Sequence, residues 1–203
     1  MLQPSSRQIT YIKTVVFILA LLPLAGLVYA TFSNGLGDNP VEYLTRKTGT
    51  WTFNFLLITL AVSPLRQWLK LHWLMRLRRM LGLFCYFYAL LHFLCFALFD
   101  HSFDLADMVK DVVKRPFITV GFTAFCLLTP LAATSFNRAI AKLGGKRWQA
   151  LHRSIYVIGV LAAFHYLWLV KATALIYPII YGAILAVLLG WRMLAWRKKA
   201  MSG

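Results

Sequence analysis

The sequence of 203 residues is short of acid. It holds only six Asp and Glu against 22 Lys and Arg, and charged residues of both signs make up 14% of it, where a soluble domain carries about a quarter. That shortage excludes an ordinary soluble fold. Cysteine is nearly missing too. Cys85, Cys95 and Cys126 all fall inside apolar runs at no metal-ligand spacing, so they are read as small buried hydrophobes that say nothing about redox compartment. Internal repeats and low-complexity segments are absent. Nucleotide loops are absent as well: GLGDNP has a Gly-x-Gly but proline where a third glycine would stand, and LGGK lacks the earlier glycine and the following Ser/Thr of a P-loop. The net charge of +16 does not indicate nucleic acid. The basic residues sit in short segments between apolar runs and form no continuous face for a phosphate backbone.

What the sequence does have is hydrophobic residues, 60% of the total with 15% aromatic, gathered into runs of roughly 20, the length that crosses a hydrocarbon core. The expected fold is all-α: a single-domain integral membrane bundle over residues 1–203 with six transmembrane helices, at 12–32, 50–65, 80–99, 117–135, 150–170 and 174–192. Arg7 to Lys13 followed by VVFILALLPLAGLVYA could pass for a signal peptide, but with five further spans it reads as an uncleaved first anchor. The second span is short and ends at Ser63-Pro64, so it is expected to continue as an interfacial helix. Pro116 opens the fourth span, where a missing N–H costs nothing. Pro23, Pro130 and Pro178 lie inside spans and predict kinks.

Charge orients the bundle. The segment RQWLKLHWLMRLRR (66–79) has five Lys/Arg and no acid. Arg138, Lys142, Lys146 and Arg147, then Arg197, Lys198 and Lys199, are likewise without acid nearby. Asp38, Glu42, Asp100, Asp104, Asp107 and Asp111 all fall in the two loops on the other side. The positive-inside rule puts both termini in the cytoplasm, and Trp148 and Trp168 bracket the fifth span at headgroup depth.

Two histidines then stand out. His92 lies eight residues inside the outer end of the third span at Asp100, and His165 six residues inside the outer end of the fifth near Lys171. At 1.5 Å per residue these depths are about 12 and 9 Å. Polar side chains within a bilayer are costly and mark function. Two imidazoles at one level can supply both axial ligands of a haem iron in a bundle interior. Phe93, Phe96, Phe164 and Tyr166 would line an apolar slot, but at helical spacing they read equally as packing and receive no role.

His152 is either a cofactor ligand or an interfacial histidine. On a straight helix it lies about 20 Å below His165 and about 140° around the axis. A second haem at that level would want a partner thirteen or fourteen residues before His92, and those positions are Arg79 and Arg78. Arginine does not ligate iron but can pair with haem propionates, or serve as a plain positive-inside flank. His72 and His101 are expected to be solvated.

Four stretches, GLGDNPVEYLTRKTGTW followed by LAVSPLR, RRMLGLFCYFYALLHF, RPFITVGFTAFCLLTPLAATS and LGGKRWQALHRSIYVIGVLAAFHYLW, span nearly the whole chain. Together they resemble the MsrQ family, also called YedZ, within the ferric-reductase-like transmembrane group. The resemblance implies a six-helix cytochrome b subunit of the bacterial inner membrane that binds b-type haem and FMN. Such subunits draw electrons from the quinone pool or a cytosolic flavin reductase. They pass them to MsrP, a periplasmic molybdopterin enzyme that repairs methionine sulfoxide in envelope proteins. The family's haem-ligand histidines match His92, His152 and His165, with arginine at the inner position of the third helix, where two-haem relatives carry histidine.

Relatives resembling NADPH oxidases append a cytosolic flavin and nicotinamide domain; here about ten residues follow the last span, too few for any fold. The expected role is therefore an electron-transfer subunit without a complete active site of its own, with the outer loop DHSFDLADMVKDVVKRP as a candidate docking surface. A ferric- or quinone-linked cytochrome with another acceptor is the nearest alternative. A histidine-relay transporter is the more distant one, because it calls for acidic partners within the spans and every acid lies outside them.

Overall fold

The structure, a computed structural model, describes residues 4–170 and 174–201, and all regular elements among them are helical. Lys171, taken above as the outer end of the fifth span, lies outside the described residues. Five stretches are long and apolar enough to cross a membrane: Ser6–Phe32, Arg78–Asp100, Pro116–Ala133, Gly145–Leu169 and Ile176–Lys198. The chain divides into two compact units, Met1–Asp104 and Leu105–Gly203.

The first unit holds α1 (Ser6–Phe32), α2 (Pro40–Trp68) and α3 (Arg78–Cys95). Helix α1 opens with a capping box: Ser5 Oγ accepts from the Gln8 N–H at 3.3 Å and Gln8 Oε1 accepts from the Ser5 N–H at 2.8 Å. At Pro23 a neighbouring side chain repairs the ladder. The Tyr88 hydroxyl of α3 donates to the Ala20 carbonyl at 2.7 Å and accepts from the Leu24 N–H at 3.2 Å. A side chain inserted beside a proline in this way is a recognised cause of bending. Tyr88 is completely buried, stacked on Phe55 at 5.3 Å, and Phe55 stacks in turn on Phe84 at 5.6 Å.

Helix α2 contains the expected span 50–65 but is not among the five apolar stretches. Its sequence explains why. Thr48, Thr50, Thr52 and Thr59 dilute the apolar run, and each folds its hydroxyl onto the carbonyl four residues back, at 2.8, 2.8, 2.9 and 2.6 Å. With these four hydroxyls bonded within the helix, α2 can be the most enclosed element of the unit; Phe53, Phe55, Leu56, Leu57, Leu60 and Val62 are all buried. Pro64 is buried inside the helix, which runs on to Trp68 without a break. The interfacial helix expected beyond it is only a 3-10 turn, His72–Arg76. His72 is exposed as anticipated, whereas His101 is half-buried, its ring edge-on to Phe96 at 4.5 Å. Helix α3 ends in a π-helical turn, Phe96–Asp100.

The second unit holds α4 (Leu105–Lys114), α5 (Pro116–Ala133), α6 (Asn137–Leu143), α7 (Gly145–His152), α8 (Ile155–Leu169) and α9 (Ile176–Met201). Pro116 starts α5 as expected. Pro178 lies within the last apolar stretch as expected, but in the first turn of α9, where a missing N–H interrupts no helical hydrogen bond. Cys85 and Cys95 are buried, but Cys126 faces outward from α5 and is exposed. The expected fifth span runs as one apolar stretch from Gly145 to Leu169, with a tighter turn at Arg153 and Ser154 joining α7 to α8, so the straight-helix angle between His152 and His165 does not apply. Helices α8 and α9 approach closely at Gly159, where a Cβ would stand 3.1 Å from Leu185 Cδ1. Small residues permit such contacts in membrane bundles, where packing replaces the hydrophobic driving force.

Candidate functional site

In the first unit, α3 turns the His92 ring onto the backbone of α2. His92 Nδ1 lies 2.8 Å from the Thr45 carbonyl oxygen, with Thr48 Oγ1 at 3.5 Å from the same nitrogen. A carbonyl only accepts, so Nδ1 carries the proton and Nε2 is the basic nitrogen. The ring rests on Gly49, one helical turn after Thr45; a Cβ there would stand 3.0 Å from His92 Cε1 and 3.2 Å from Nδ1.

In the second unit the same arrangement recurs. His165 of α8 places Nδ1 2.7 Å from the Phe117 carbonyl oxygen in the first turn of α5. Its ring rests on Gly121, again one turn later, where a Cβ would stand 2.6 Å from both Cε1 and Nδ1. An imidazole that donates Nδ1–H to a carbonyl is fixed in tautomer and orientation, the state in which histidine serves as a metal ligand through Nε2. Two histidines in two separate units share that state.

His152, the last residue of α7, does not. Its Nε2 lies 3.1 Å from Thr134 Oγ1, and that hydroxyl has its one proton engaged with the Pro130 carbonyl at 2.7 Å. The threonine oxygen therefore accepts, and Nε2 carries the proton. Trp148 stacks on the same ring with centroids 3.9 Å apart and donates its indole N–H to the Thr134 carbonyl at 3.0 Å. The expected belt residue thus holds His152 in place. Arg78 and Arg79 are the first two residues of α3, Arg79 exposed and Arg78 half-buried. Of the aromatics left without a role, Phe164 is exposed, while Tyr166 meets Tyr181 edge-on at 5.7 Å.

Sequence reasoning found the three histidines and missed what holds them: the Thr45 and Phe117 carbonyls, Gly49, Gly121 and Thr134. Glycine in an apolar helical run gave no signal by itself, since Gly26 and Gly182 share that setting with nothing within 4 Å of an added Cβ. Among the described residues no cluster of three His, Cys, Asp or Glu side chains could hold a bare metal ion. Each of His92 and His165 separately offers one basic imidazole nitrogen, a ligand type that suits haem iron.

Residues 48–163 match the family described as ferric reductase like transmembrane component, a stretch that contains His92 and His152 and stops just short of His165. Several proteins, each named protein-methionine-sulfoxide reductase heme-binding subunit MsrQ, align over almost the whole chain. One from Herminiimonas arsenicoxydans is 56% identical, covering 97% of this chain and 91% of its own length. One from Azospira oryzae is 53% identical over 94% and 82%, and one from Polaromonas naphthalenivorans is 52% identical over 89% and 83%. No solved structure matches. With its apolar helices and this likeness along its length, the chain is a multi-pass membrane protein that belongs to the MsrQ family, within the ferric-reductase-like transmembrane components.

Proposed function

We propose that the chain carries electrons across the bacterial inner membrane, from a quinol or a cytosolic flavin reductase, through b-type haem, to the periplasmic methionine sulfoxide reductase MsrP. The observation that carries this reading is the shared state of His92 and His165, each with Nδ1–H committed to a helix carbonyl and Nε2 left as the basic nitrogen on an apolar helix. His92 and His165 would hold the haem. The glycines beneath them make room for rings in that orientation, and the apolar faces of α3 and α8 exclude water. Bound haem supplies the one-electron couple, and the reduction of methionine sulfoxide belongs to the partner.

In this reading α2 is the sixth crossing, both termini are cytoplasmic, and the two units make one ferric-reductase-like domain. The similarly named relatives and the distribution of basic residues support it. FMN enters from the family resemblance alone. A second haem at His152 would require Nε2 to release Thr134 and change tautomer, so the single-haem form is the one we favour.

Purified protein should show a Soret band and a reduced b-type α-band, lost in His92→Ala and in His165→Ala and kept in His152→Ala, with about one haem per chain. Reconstitution with MsrP should give methionine sulfoxide reduction that depends on the same two histidines. A correctly folded but colourless wild type overturns the proposal and favours a proton relay.

A further inference from the structure

The two ligand-type histidines rest on the same backbone device, and its glycines have a purpose beyond helix packing. In α2 the carbonyl is Thr45 and the glycine Gly49; in α5 they are Phe117 and Gly121. The spacing of four is the helical hydrogen-bond spacing, so in each case the glycine's own N–H points at the carbonyl that the imidazole uses. A carbonyl oxygen has two lone pairs and accepts both. An imidazole reaching that second lone pair from the side must pass over the α-carbon four residues on. Any side chain at that position takes the space of the ring: an added Cβ would come within 3.0 Å of the His92 ring and 2.6 Å of the His165 ring.

Gly159 is also crowded, but by the flexible end of Leu185 at 3.1 Å, and several other helical glycines are not crowded at all. A Cβ on Gly26 of α1 or Gly182 of α9 would meet nothing within 4 Å, and one on Gly82 of α3 would make ordinary contact with Thr59 at 3.8 Å. Glycine in a helix interior is otherwise a liability relative to alanine. Its presence under both rings is therefore explained by the rings.

We propose that Gly49 and Gly121 are positioning residues for the axial histidines, setting the plane and tautomer of each imidazole by letting Nδ1–H reach the helix carbonyl one turn earlier. This rests on the haem reading above. A ring pushed off its carbonyl loses the hydrogen bond that raises the basicity of Nε2, and it rotates about the axis of its bond to iron. Both effects change the haem, so the consequence is spectroscopic and electrochemical as well as kinetic.

The test compares detergent-purified wild type with Gly49→Ala, Gly121→Ala and the controls Gly26→Ala and Gly182→Ala. The readouts are haem content, the low-spin ferric EPR signal, whose largest g value follows the angle between the axial ring planes, and the haem midpoint potential. Gly121→Ala should lower haem affinity roughly 10–100-fold and shift both the EPR signal and the potential. Gly49→Ala should do the same to a smaller degree, in line with its longer contact, and the controls should match wild type. Wild-type haem content, EPR signal and potential in both Gly49→Ala and Gly121→Ala overturn the proposal.

A second pair keeps the test independent of folding. His165→Gly removes the ring that a Cβ would strike, and added imidazole should then restore the Soret band. The double variant His165→Gly with Gly121→Ala should need roughly tenfold more imidazole or worse; equal rescue overturns the proposal. A wild type without haem, or with haem that survives His92→Ala and His165→Ala, instead sinks the haem reading itself.

Discussion

The Trp148 indole lies stacked on the His152 imidazole, centroids 3.9 Å apart and planes 27° from parallel, and both rings hydrogen-bond to Thr134, one to its carbonyl and the other to its hydroxyl. Thr134 closes α5, and the two rings belong to α7, so this one residue pins the end of one helix to the face of another. The arrangement gives His152 the tautomer opposite to that of His92 and His165.

Thr134→Val keeps the shape of the residue and removes the oxygen that accepts from His152 Nε2–H. Stability should fall by about 1 kcal/mol, the net worth of a hydrogen bond of this kind, while haem content stays at the wild-type level. Denaturation in detergent followed alongside haem counting checks both halves. A loss of haem in Thr134→Val would show that His152 is a ligand oriented by the threonine, contrary to the single-haem form.

Tyr88→Phe removes the hydroxyl that bridges Ala20 and Leu24 beside Pro23 in α1. The expected cost is about 1–2 kcal/mol, because a buried donor and acceptor are left to re-form their own bond across a proline-bent turn. In a Pro23→Ala background the helix can close by itself, so the same substitution should cost measurably less. A double-mutant cycle on unfolding midpoints reads the coupling; equal costs in the two backgrounds would mean that tyrosine and proline act independently.

Gly159→Val should be destabilising by about 1–3 kcal/mol through overpacking, since even a Cβ at that position would reach 3.1 Å from Leu185. Leu185→Ala in the same chain should recover part of the loss. Thermal unfolding of the two single variants and the double decides it, and no recovery would place the close approach of α8 and α9 elsewhere.

Much of this was legible from composition. Apolar runs of membrane length are hard to disguise, and an imidazole inside one is conspicuous because its burial is costly. His92 and His165 stand out on that ground and by their matched depth in two spans. What held them was not legible, because the hydrogen-bond partners are main-chain carbonyls, which every residue possesses. Gly49 and Gly121 look like any other small residue until a ring is placed over them. The tighter turn after His152 carries no proline or glycine to announce it; Arg153 and Ser154 form it without a local signal. The tautomer of His152 depends on where Thr134 spends its proton, a tertiary fact. Cys126 was misjudged because hydrophobicity reports an apolar setting without saying whether protein or lipid provides it.

Topology is open to a direct check. With six crossings and cytoplasmic termini, a green fluorescent protein fused after Gly203 should fluoresce. Cysteines introduced at Asn34 and at Ser102, between spans, should react in intact spheroplasts with a thiol reagent that cannot cross the membrane. A dark C-terminal fusion together with a labelled Asn34 position would leave an odd number of crossings and remove α2 from the bilayer.

The self-satisfied threonines of α2 bear on how the chain is made. If α2 is the sixth crossing, a segment so diluted in apolar residues gains little by leaving the translocon on its own, and packing against its neighbours would hold it in the bilayer. Helix α3, which covers it and brings His92 against it, is synthesised afterwards. On that reading, lateral release of α2 waits for α3, and the two leave the translocon together as a helical hairpin.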